Sequence, residues 1–329
     1  MRGLLITVLV VALLAVGGWM GGESWLSNRA REQIAASPDI DAASVAPLRA
    51  PGRFGLHLTG VEMGDGTDGI SAPALDLFVP VTRPNAFSFD LPPEMVIRQA
   101  GLDLPVSIGA GTGFAALSPA NRGALSEAQL DAQSVALAGA PLLESLSAHA
   151  RLAVPGLQAP IRSNAAYDVT LDMQGLAPEA LTGIGLPSAL DATGAARVWL
   201  TEAPGAGSAS TPRLTGIETQ GVTLTLGPAT ARLMGRVIAD AEGRAEGQLG
   251  LYSTDAQSFL EAAAAMGLMP QSMVLPVVAG LNNLASFGAA EDSLPPAAPG
   301  EMRIALRFED GQTQIGPVTL GPAPVLLAD

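Results

Sequence analysis

Hydrophobic residues recur at every second position through most of the chain beyond residue 52. In RFGLHL, Phe54, Leu56 and Leu58 share one phase; in ALDLFVPV, Leu75, Leu77 and Val79 do; AFSFDL aligns Phe87, Phe89 and Leu91. Leu146, Ala148, Ala150 and Leu152 alternate with Ser147, His149 and Arg151. Tyr167, Val169, Leu171 and Met173 alternate with Asp168, Thr170 and Asp172. VTLTL, RLMGRVIA, GQLGLYS and IALRF continue the series. A period of two is that of a half-buried strand, whose side chains point alternately to opposite faces. Glu242-Gly243 and Asp310-Gly311 mark tight turns between such runs. Strands at short intervals predict consecutive antiparallel pairing, a meander with one dry and one wet face.

One region departs from this period. TDAQSFLEAAAAMGL opens at Thr254 with capping-box spacing to Gln257 and stops at Gly267, which predicts a helix. A second helical segment, Gln271 to Phe287, follows Pro270, and no charge occurs between Ala262 and Ala290. Pro270, Gln271, Pro276, Asn282 and Asn283 interrupt what would otherwise be a second membrane crossing. The segment therefore reads as an apolar helical hairpin packed on the sheet, with peripheral membrane contact as the alternative.

The amino terminus is different again. Gly3 to Gly22 carries no charge and has no polar face; a helix of that length spans about 30 Å, the thickness of a bilayer core. Trp19 and Trp25 suit an interfacial belt, while Ala15-Val16-Gly17 offers the cleavage site of a signal peptide. The expected organisation is a transmembrane anchor (or signal peptide) over 1–25, a helical stalk and linker over 26–52, and a β-rich periplasmic domain over 53–329. The Gly/Ser-rich stretch Ala203 to Pro212 reads either as a lobe boundary at 203–212 or as a long hairpin loop. Arg2 places the N-terminus in the cytoplasm. The fold class is mainly β with a few helices: an N-terminal transmembrane helix, then a twisted, curled antiparallel meander bearing the helical hairpin.

Charge and composition narrow the chemistry. Asp and Glu total 31 against 17 basic residues, all arginine, for a net charge of −14. Such a chain lacks the basic surface that nucleic acids require. There is no cysteine, which excludes disulfides, thiolate catalysis and cysteine-based metal sites. His57 and His149 fall on polar phases of predicted strands and read as solvated strand residues before metal ligands or bases. Glu62, Asp65 and Asp68 in EMGDGTDG form an oxygen-rich loop, either a turn or a calcium site, without EF-hand spacing. IGAGTG, Ile108 to Gly113, lacks dinucleotide-binding spacing. Asp168 and Asp172 share a strand face without the context of a glycosidase pair. No catalytic, cofactor or metal residue is assigned, and the chain is expected not to be an enzyme.

The order of these parts resembles a known family. A strand segment GRFGLHLTGV is followed by GRVIADAEGRAEGQLGLYSTDAQSFLEAAAAMGL and by the ending ALRFEDGQTQIGPVTLGPAPVL. This is similar to the bacterial domain of unknown function 2125, which in turn resembles AsmA-like envelope proteins. The resemblance implies curved sheets with an apolar groove and a role in lipid handling, and transfers no functional residue. The expected function is thus an inner-membrane-anchored periplasmic protein that holds phospholipid acyl chains in an apolar β-groove. The alternatives are a closed core without ligand, and a scaffold that binds an envelope protein through its acidic surface or a sheet edge.

Overall fold

The computed structural model describes residues 21–37, 40–64, 67–177, 188–205, 211–265, 271–284, 294–315 and 318–327. The expected transmembrane run lies almost wholly outside these residues. Among the described residues, no helix is long and apolar enough to cross a membrane. The described chain is mainly antiparallel β, its strands paired in sequence order but for one branch, with short helices. It divides into two compact units, Met1–Ala116 with Leu130–Ala140, and Leu117–Gln129 with Pro141–Asp329. Of the 203–212 stretch, residues 206–210 lie outside the described residues, and the residues on both sides of it belong to the second unit.

The first unit opens with helix α1 (residues 21–36). Strands β1 (Ile40–Pro47), β2 (Arg53–Gly64), β3 (Gly69–Pro80), β4 (Ala86–Asp90), β5 (Glu94–Gln99) and most of β6 (Leu102–Ser118) follow. β5 pairs with both β3 and β6 and is the branch in the order. The expected stalk and linker are part of this unit. Leu26, Ala30 and Ile34 of α1 pack against Val45, Leu56, Leu58, Val61 and Ala72. Their i, i+4 spacing puts all three on one helix face. The presumed linker contains β1, in register with β2 from Ile40↔Met63 to Pro47↔Leu56. The alternation of RFGLHL would carry Val61 to the opposite face from Leu58. It is nonetheless 2% exposed in the same cluster, because Gly60 at φ +56 shifts the phase.

The second unit holds β8 (Ala140–Ala153), β9 (Ala165–Leu176), β10 (Leu190–Leu200), β11 (Leu214–Leu226), β12 (Ala229–Ala239) and β13 (Ala245–Ser253). Helices α2 (Ala256–Ala265) and α3 (Val274–Leu284) come next, then β14 (Met302–Glu309), β15 (Gln312–Ile315) and β16 (Val318–Pro322). β7 (Ala124–Leu137) contributes residues to both units. The two turns read from Glu242-Gly243 and Asp310-Gly311 connect β12 to β13 and β14 to β15. The two helices lie on the apolar face, where Ala256, Leu260, Val274 and Val277 form one buried cluster with Ile304 and Ile315. Phe259 and Ala262 close on Leu226, Ala229 and Ala231 beside it. The hairpin expectation is met in its packing, but the helix start differs. Asp255, not Thr254, caps α2: its carboxylate accepts from the Ser258 N–H at 3.3 Å and the Ser258 hydroxyl at 2.6 Å. Gly267 and residues 285–287 lie outside the described residues.

Candidate functional site

Directly paired residues of neighbouring strands share a face, so the registers of the second unit sort its side chains into two sets. One set is apolar. Leu146, Met173 and Ala192 form a cross-strand row, Ala148 and Leu171 another with Gly194, then Ala150, Val169 and Ala196, then Leu152, Tyr167 and Val198. The same face continues through Val222 and Leu224 to Leu233, Leu251 and Ile304. Coverage changes along it. Over β11 to β15, α2 and α3 bury the face, and at the other end of β12 to β14 Ala323 and Leu326 close on Val237 and Phe308. Over β8 no residue is buried. On β9, Val169, Leu171 and Met173 are only half-buried, as are Ala196 and Val198 on β10. The dry face thus has a sealed part and an open apolar part.

The opposite face carries a ladder of alternating charge. Arg151 pairs in register with Asp168, Asp168 with Arg197, Arg197 with Glu218, Glu218 with Arg236, and Arg236 with Gln248. Glu127 extends it, its carboxylate lying 3.9 Å from Arg151. Arg197 holds Asp168 through two bonds of 2.8 and 3.0 Å. This contact raises the Arg197 pKa above its ordinary value. No single segment of sequence shows this ladder, since each member comes from a different strand.

This face also buries two aromatic residues in matching settings. Trp199 Nε1–H donates to the Pro155 carbonyl at 3.0 Å with the Arg236 guanidinium 5.2 Å from its ring. Tyr252 O–H donates to the Pro295 carbonyl at 2.6 Å with Arg232 at 5.7 Å. Each aromatic ring therefore anchors a proline-containing loop, which explains why large apolar residues sit on the face the alternation marks as wet.

Between the β8–β9 loop and strands β9 to β11 lies an open cleft of about 540 Å³. Trp199 forms part of its wall, with Asp168, Thr170, Arg197, Glu218, Gln220 and Leu157 around it. A register shift on β11 after Thr219 marks a bulge, and it places Gln220 in the lining. The Thr219 hydroxyl braces the bulge by donating to the Ala195 carbonyl at 2.8 Å and accepting from the Gly221 N–H at 3.2 Å. Arg236 Nε and Gln248 Oε1 are buried without hydrogen-bond partners.

The residues singled out in the sequence are dispersed. His57 Nδ1 bonds Asp76 at 2.5 Å in the first unit, and His149 Nε2 bonds Glu127 at 2.8 Å in the second. Both lie on strands with their side chains partly exposed, and each engages a carboxylate. Asp68 accepts from the Ala100 N–H at 2.7 Å, bracing a turn; Asp65 lies outside the described residues. Among the described residues, no three metal-ligating groups come together. Asp168 is held by Arg197, whereas Asp172 accepts from the Gln174 amide at 3.3 Å. IGAGTG lies within β6, and its glycines admit side chains from across the strand. A β-carbon at Gly113 would stand 1.9 Å from the Phe89 ring.

Residues 23–324 match the family described as uncharacterized protein conserved in bacteria, DUF2125. The chain belongs to this family. The match begins within α1 and includes β1, so the DUF2125 region takes in the helix and strand of the expected stalk and linker. No curated protein and no solved structure is matched at a significant level.

Proposed function

We propose that this DUF2125 protein is a non-enzymatic, membrane-anchored envelope protein that holds acyl chains of phospholipid on the open apolar face of β8 to β10. The observation that carries this reading is the contrast along one continuous face. Helices seal it from β11 onward, while Leu146, Leu152, Val169, Leu171 and Met173 stay half-buried. Burial of such area is favourable by about 25 cal/mol per Å², and an acyl chain needs no hydrogen-bond partner from the protein. Curling of the meander would deepen the strip into a groove, with headgroups left in water. The apolar run Gly3 to Gly22, as a single span with the main domain periplasmic, would tether the groove to the inner membrane, and the AsmA-like resemblance supports the same role.

Binding of a protein partner by strand addition is less favoured. The end strands of the pairing order, β1 and β16, are 8 and 5 residues long and each ends in proline, a composition that protects edges. The lipid reading is tested by purifying the full chain from cells and quantifying extracted phospholipid by mass spectrometry. Bound phospholipid at a fixed stoichiometry, lost in a folded Val169→Glu/Leu171→Glu variant, is expected. Equal lipid in both proteins would contradict it.

A further inference from the structure

The loop between β8 and β9 holds the three most exposed large aliphatic side chains of the described residues: Val154 at 81%, Leu157 at 108% and Ile161 at 93%. A loose loop would be expected to turn such groups inward, but this one is fastened along its length. Trp199 Nε1–H bonds the Pro155 carbonyl at 3.0 Å, and an Arg236 guanidinium N–H bonds the Gln158 carbonyl. Arg162 reaches the Ala241 carbonyl at 3.2 Å, Ser163 and Thr215 hydroxyls meet at 2.7 Å, and the Asn164 amide donates to the Thr201 carbonyl at 2.8 Å. Pro160 is buried. The polar groups of the loop are thus spent inward while its aliphatic groups stay outward in a fixed conformation, so contact with a partner costs little further ordering.

We propose that this loop is a lipid-contacting tip, with Val154, Leu157 and Ile161 entering the boundary between headgroups and acyl chains of a bilayer. The chemistry of the tip selects a lipid surface over a protein. Its exposed groups are aliphatic, whereas protein-binding centres are enriched in Trp, Tyr and Arg. In a chain with 31 acidic residues, none falls between Arg151 and Asp168, and the one charge there is Arg162. The neighbouring β12–β13 turn brings Asp240 and Glu242, and both lie against Arg244, at 3.4 and 3.5 Å. Anionic headgroups therefore meet little repulsion at the tip. Interfacial segments of this kind seat their apolar groups about 5–10 Å deep. The tip lies outside the apolar strip of β8 to β10, and the proposal stands whether or not that strip holds lipid.

The absence of cysteine makes the test direct. A single Leu157→Cys in the full chain, carrying an environment-sensitive fluorophore, is reconstituted into vesicles of phosphatidylcholine and phosphatidylglycerol in equal parts. Thr193→Cys, exposed on β10, serves as the reference site. The expected result is a blue shift at 157 with quenching by nitroxide-bearing lipid, both absent at 193. Adding Val154→Gln and Ile161→Gln to the labelled chain should reduce both signals. A folded chain whose label at 157 remains water-like overturns the proposal. So does a blue shift without lipid quenching, which would indicate protein contact, equal quenching at both sites, or a signal indifferent to the two glutamines.

Discussion

Glu23 carries a carboxylate that is 0% exposed at the start of α1, and its partners explain why it is there. One oxygen accepts from the Gly55 N–H at 3.1 Å; the other accepts from the Arg49 N–H at 3.3 Å, with the Arg49 guanidinium 3.9 Å away. The side chain thus ties the helix to the β1–β2 connection and to β2. Its removal would leave two backbone donors unsatisfied, at about 1–3 kcal/mol for each that stays buried. Glu23→Ala should therefore lower the urea midpoint clearly, and Glu23→Gln, which keeps one acceptor, should lower it less. Glu301 makes a pH-dependent contribution of a similar kind. The Ala298 N–H, and after it Arg232, hold its carboxyl below the usual range. Its stabilisation is present above the ordinary carboxylate pKa and lost as pH falls through the depressed one. Glu301→Gln should accordingly lower Tm near neutral pH and leave it unchanged in strong acid. Neither role is legible in the sequence, because Glu23 takes its backbone donors from Arg49 and Gly55, and Arg232 reaches Glu301 from a distant strand.

Elements were more legible than contacts. Every strand read from alternation is present, because Leu, Val, Phe and Tyr contrast sharply with Asp, Ser and Arg. Among the strands that alternation does not mark, β1, β6, β7 and β10 run largely through Ala, Gly and Ser, whose burial leaves a faint pattern, and β5 is only 6 residues long. Helix α2 is legible from its capping spacing and α3 from its lack of charge, yet the capping residue of α2 lies one position beyond the one the spacing marks. Packing of this pair decides where the apolar face is sealed. Leu260 is 4% exposed between α3 and the sheet, whereas Leu275 is 71% exposed on α3. Leu260→Ala should cost about 2–5 kcal/mol, as buried leucine truncations do, and Leu275→Ala should fall within about 0.5 kcal/mol of wild type. Paired urea denaturations of the two variants read that difference directly.

For the whole molecule, the sequence conveyed that a dry face exists but not how much of it is covered. Coverage depends on where α1, α2, α3 and the segment after β16 come to rest, which the alternation cannot encode. The charge ladder from Glu127 to Arg236 was hidden for a related reason: its members lie on six different strands. Occupation of the open strip of β8 to β10 by acyl chains is the central proposal for this protein. The most direct measurement is photocrosslinking of the full chain with a phospholipid carrying a diazirine at its acyl terminus, followed by peptide mapping. Adducts within 146–152 and 169–173 are predicted. Adducts confined to residues 3–22, with none on these strands, would contradict the account.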